Sequence, residues 1–117
     1  EISLGLVGSE MCIRDRSEIL GTVGGFKKAV DLHQKFYTDR GYDVKVNANI
    51  EYNRDGDGTT EEPSRLVTVV MFPSLEVQNQ FMNREITDQD QEDYDSFVEI
   101  YNKNTKVVVR KSNCYLN

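Results

Sequence analysis

The single histidine of this 117-residue chain, His33, stands where its neighbours could give it chemistry. It lies seven residues after Phe26 and three before Phe36, within the apolar stripe of one helical face. An imidazole titrates near neutral pH, so at a cavity wall it can serve as an acid, a base or a metal ligand. No second metal-type residue stands at a fixed spacing from it. The competing role is a histidine at the stripe's edge, hydrogen-bonded to a tyrosine or a backbone carbonyl. Six tyrosines offer such partners. Tyr37, Tyr94 and Tyr101 fall on core-facing helical stripes, and Tyr52 falls on the inward face of a strand. Their phenols could orient a polar group of a ligand, or simply fill the core and its rim. His33, Tyr37, Tyr52, Tyr94 and Tyr101 are therefore the candidate ligand-binding residues. No catalytic residue, metal ligand or cofactor is assigned.

Three other motifs invite chemistry and give little. Residues 53–64, "NRDGDGTTEEPS", imitate a calcium loop, with Asn53, Asp55 and Asp57 at positions one, three and five and Gly58 at the sixth. The twelfth position, which should be a bidentate glutamate, is Ser64, and the flanks read as strands where helices are required. A solvated hairpin loop, with Asp-Gly supplying positive φ, accounts for the same residues. The acidic run beginning at Thr87 places Asp88 and Asp90 in a first helical turn, where they favour the helix dipole; Glu92, Asp93 and Asp95 read as a solvated face. Cys114, close to Arg110 and Lys111 in sequence, reads as a small, partly buried residue.

The elements that must position these residues follow from period and punctuation. Residues 24–40 carry Phe26, Ala29, Val30, Phe36 and Tyr37 on one face and lysines on the other, with Gly41 as a stop. Residues 44–52, "VKVNANIEY", alternate strictly, as a strand with one wet face does. Residues 65–72 are apolar on both faces, with Leu66, Val70 and Phe72 on one and Val67, Val69 and Met71 on the other. Ser74 caps a short helix, Thr87 or Asp88 caps a second, and the β-branched run from Thr105 to Leu116 reads as a last strand. The order helix, strand, strand, helix pair, strand is that of a ferredoxin-like βαββαβ unit whose first strand is truncated or replaced. The fold expected is α+β, an antiparallel sheet in the order 4-1-3-2 with helices on one face.

Helices on one face leave the Val67, Val69 and Met71 side to be covered by something else, and a second copy is the simplest cover. In element order and patterning the chain resembles the dimeric α/β-barrel superfamily, which includes the antibiotic-biosynthesis monooxygenases and in which two ferredoxin-like sheets pack face to face. That resemblance implies a homodimer through the open sheet face. It also implies a cavity between sheet and helices, lined by His33 and the inward tyrosines. Several relatives are cofactor-independent monooxygenases. The haem-degrading branch uses an asparagine, tryptophan and histidine set that a chain without tryptophan cannot complete.

Residues 6–15, "LVGSEMCIRD", resemble the in-frame translation of a sequencing-library adapter, residue for residue. Residues 1–16 are accordingly expected to be non-native, and residues 17–117 to form a single domain. The expectation is that residues 6–16 pack poorly, or at best fill the empty first-strand slot through the apolarity of "ISLGLV". The native start, any signal peptide and the status of Asn117 as the last residue are left open. Without Cys12 the remaining Cys114 could form no internal disulfide, which slightly favours the cytoplasm.

The net charge of −6 becomes −5 when three acids and two bases of residues 1–16 are set aside. An acidic domain with no basic stripe argues against nucleic acid as a partner, and no apolar run reaches the roughly 18–20 residues of a membrane helix. The function expected is binding of a small, partly apolar molecule in the cleft. The alternatives are a cofactor-independent monooxygenase-like enzyme and a purely structural dimerisation module.

Overall fold

The computed structural model describes residues 11–56 and 58–112. Its elements are β1 (Met11–Ile19), α1 (Val23–Asp39), β2 (Lys45–Asp55), β3 (Gly58–Phe72), α2 (Leu75–Met82), α3 (Asp88–Asn104) and β4 (Thr105–Lys111). The four strands form one antiparallel sheet in the order β2-β3-β1-β4. This is the ferredoxin-like order expected, with β2 at an edge and β3 inside. The first-strand slot is filled by Met11–Ile19, which pairs with β3 from Met11↔Phe72 to Ser17↔Leu66 and with β4 on its other side. Residues of the "ISLGLV" stretch lie outside the described residues.

Capping fixes where the helices start. The side chains of Thr22, Ser74 and Thr87 each accept a hydrogen bond from the backbone N–H three residues on, that of Gly25, Val77 and Asp90 respectively. Asn104, at the end of α3, ties that end to the start of α1. Its carbonyl accepts from the N–H of Leu20 and Gly21, and its side-chain oxygen accepts from the N–H of Thr22 at 2.9 Å. The outer edge of β2 is closed by one side chain of α1. Gln34 donates to the carbonyl of Val44 and accepts from the N–H of Val46, both at 2.9 Å. A free strand edge invites pairing with another chain, and this clip satisfies part of it.

The main core lies between the sheet and the helices and joins Phe36, Tyr37, Val44, Val46, Val70, Phe72, Phe81 and Phe97. Phe36 is its hub, with Tyr37, Phe81, Tyr94 and Phe97 ringed edge-on around it at centroid distances of 5.4–6.0 Å. On the other face of the sheet Cys12, Val67 and Val69 form a separate cluster with Met71 beside it. The two-faced pattern of β3 is thus realised residue by residue.

Two expectations need correction. Residues 53–64 are largely strand: β2 runs on to Asp55 and β3 begins at Gly58, with Gly56 turning at φ 52°. The cross-strand ladder persists through Tyr52↔Pro63 and Arg54↔Thr59 although apolar alternation has ceased, because backbone pairing asks nothing of side-chain polarity. Asp57 lies outside the described residues. Secondly, Cys12 is disulfide-bonded, so the expectation built on discarding it fails and the compartment argument loses its premise; Cys114 lies outside the described residues. On the far face of the sheet Val67 and Val69 are 6% and 9% exposed in a single chain. An ion pair from Arg16 on β1 to Glu51 on β2, at 2.9 Å, spans that face across β3, and long polar side chains shield apolar surface with their stems. No helix of the described residues is long and apolar enough to cross a membrane.

Candidate functional site

His33 projects from the middle of α1 towards α3 and the sheet. Its ring stacks on Phe97 at 4.5 Å with planes 14° apart. Nδ1 lies 2.9 Å from the Tyr101 hydroxyl, and Nε2 lies 3.4 Å from the Tyr37 hydroxyl. Burial lowers its pKa to about 4, and the nearby charge of Asp15 only partly opposes this. At neutral pH the ring is therefore uncharged, with one nitrogen donating and the other accepting, so one phenol donates a hydrogen bond to it and the other accepts one from it. Burial likewise raises the pKa of both Tyr37 and Tyr101 well above the ordinary phenol value, so both keep their hydroxyl protons.

Two cavities flank this trio. The larger, about 530 Å³, is walled by Phe26, Val70, Phe97, Val98 and Tyr101 with His33 among them. The smaller, about 420 Å³, reaches Tyr37, Phe72 and Phe81. They meet at Asp15, His33, Val70, Tyr94 and Arg110, which line both. At that junction the Arg110 guanidinium grips the Asp15 carboxylate with two hydrogen bonds, Nε to Oδ1 at 2.7 Å and Nη2 to Oδ2 at 2.8 Å. The larger volume lies inside the roughly 300–1,000 Å³ of small-molecule sites, and its apolar walls with a few convergent polar groups are the usual composition of one.

Of the five residues expected at the site, His33, Tyr37, Tyr94 and Tyr101 converge on this cleft. Tyr52 does not: it is 46% exposed and lines neither cavity. Register shifts on both sides of Tyr52 break the strict alternation that would have turned it inward, and its partner Pro63 lacks an N–H for the ladder. Asp15 and Arg110 escaped the sequence reading. Asp15 lies in the segment set aside as adapter-like, and Arg110 sits in a strand whose facing shifts with the β1/β4 irregularity at Arg16/Ser17.

A second charged cluster closes the far end of the helices. Asp90, buried at the start of α3, accepts hydrogen bonds from Arg84 at 2.7 and 2.9 Å and from Arg40 at 3.1 Å; Arg40 also reaches Asp93 at 2.9 Å. The guanidinium groups of Arg40 and Arg84 lie over the rings of Phe36 and Phe81 at 3.9 and 4.0 Å. Every charge here is paired, so the cluster reads as structure. Asp90 thus does more than complement a helix dipole. Among the described residues no three histidine, cysteine or acidic side chains converge to hold a metal ion.

No family model matches the chain, and no curated protein matches it either. Its likeness is to solved structures. SnoaB from Streptomyces nogalater, described as a cofactor-independent oxygenase, superposes with a TM-score of 0.59 at 7% identity, over 93% of this chain and 95% of SnoaB. HapK from Hahella chejuensis superposes with a TM-score of 0.52 at 13% identity, over 92% of each chain. At such identities the likeness is one of fold. The ferredoxin-like α+β fold is shared.

Proposed function

We propose that this domain binds a small, partly apolar molecule in the cleft between sheet and helices. The observation that carries this is the 530 Å³ cavity, which places a neutral imidazole and the Tyr101 phenol beside aromatic walls. A purely structural module would have filled that space with side chains. To test it, binding of naphthylmethanol is measured by calorimetry on the intact chain and on Val107→Trp. Val107 lines the larger cavity from an exposed position on β4, so an indole there fills the cleft without disturbing the core. The variant should bind at least ~10-fold more weakly. Equal affinity would remove the cleft from consideration.

A second reading, an oxygenase that uses no cofactor, is favoured by the fold shared with SnoaB over nearly the whole chain. In such an enzyme the neutral His33 would accept a proton from the bound substrate. The quaternary part of the proposal is a homodimer through the face carrying Cys12, Val67, Val69 and Met71, supported by that strip and by exposed Val109 of β4, which lies beside Val67 on the same face. Sedimentation at micromolar concentration should give the mass of two chains. A single-chain mass ends the dimer reading without touching the cleft.

A further inference from the structure

We infer that the cleft selects ligands bearing a carboxylate or similar planar oxyanion, and that Arg110 makes the selection. This rests on the cleft being a small-molecule site. Arg110 stands where the two cavities meet. A guanidinium carries five N–H donors, and Asp15 takes two of them, one from Nε and one from Nη2. The other three have no acceptor among the described residues. One on Nη1 and one on Nη2 form a second fork edge, the geometry that receives both oxygens of a carboxylate in parallel. Asp15 fixes the plane of the group, so the free edge is presented with little rotamer freedom left to lose on binding.

The surroundings favour the same ligand class. The charged residues lining the larger cavity are Arg110, Lys106 and Asp15, two cations against one anion, while His33 is neutral. Phe26, Val70, Phe97 and Val98 provide apolar walls for a ring system. The chain as a whole carries a net charge of −6, so its overall field disfavours anions and any preference for one must come from these local groups.

Naphthoate and naphthylmethanol share one ring body and differ in the anion. Calorimetry on the intact chain near neutral pH and at fixed ionic strength should find the acid at least ~10-fold tighter than the alcohol. In Arg110→Met the acid should fall to the affinity of the alcohol, with the alcohol unchanged within about twofold. Arg110→Lys keeps the charge beside Asp15 but not the fork, and should lose most of the preference. It also serves if the methionine variant does not fold. Equal affinity of the two probes for the native chain, or a preference that survives both variants, overturns the inference and leaves the cleft reading intact. Binding of neither probe removes the cleft reading and this inference together.

Discussion

His33 is the residue at which burial and hydrogen bonding meet most sharply. The folded chain holds its imidazole neutral down to about pH 4, whereas the unfolded chain protonates it near 6.5. Because the folded pKa is the lower, the unfolded state takes up the extra proton as pH falls between those values. Stability is then full above about pH 6.5 and declines towards pH 4, by about 3 kcal/mol if the whole shift is expressed. His33→Gln keeps polar contacts to Tyr101 and Tyr37 but cannot titrate. Urea unfolding at about pH 7 and about pH 4.5 should show the native chain losing about 2 kcal/mol more than the variant. An equal loss in both would mean that the ring is protonated as easily inside as outside. Helical periodicity made His33, Tyr37 and Tyr101 legible, because three- and four-residue spacings put them on one face whatever lies opposite. Tyr52 was misplaced because its two flanking register shifts leave no trace in the alternation of residues 44–52.

At the scale of elements, the helices were legible through their caps and stripes, and the strands through their apolar alternation. The β2–β3 hairpin was not, since apolar alternation stops in its distal half while the backbone ladder goes on. The tie between α3 and the end of α1 was hidden too, because it joins acids and arginines up to 53 residues apart. Hydrogen bonds from Arg84, then from Arg40, hold the Asp90 carboxyl below the usual carboxylate range against the cost of its burial. That stabilisation is present above the unfolded carboxylate pKa of about 3.9 and is lost as the pH falls below it, a window under that of His33. Asp90→Ala would strand Arg84 and Arg40, whose side chains are only 14% and 19% exposed. A loss of about 3 kcal/mol in urea unfolding is expected. A loss below about 1 kcal/mol would show that the cluster behaves as surface charge does.

For the whole molecule, the apolar doubleness of β3 correctly required cover on both faces of the sheet. The identity of the cover was less legible: an ion pair between β1 and β2 shields Val67 within one chain, and half of that pair, Arg16, lies in the segment set aside as adapter-like. The same segment supplies Asp15, so reading residues 1–16 as foreign also hid one side of the cleft. The most direct test of the cleft itself is a two-dimensional amide spectrum of the labelled chain titrated with naphthylmethanol. The shifts should concentrate at Val70, Phe97, Val98, Tyr101 and Val107 around the larger cavity. Shifts confined to Arg14, Arg16, Val67 and Val69 on the opposite face, or none at saturating probe, would contradict it.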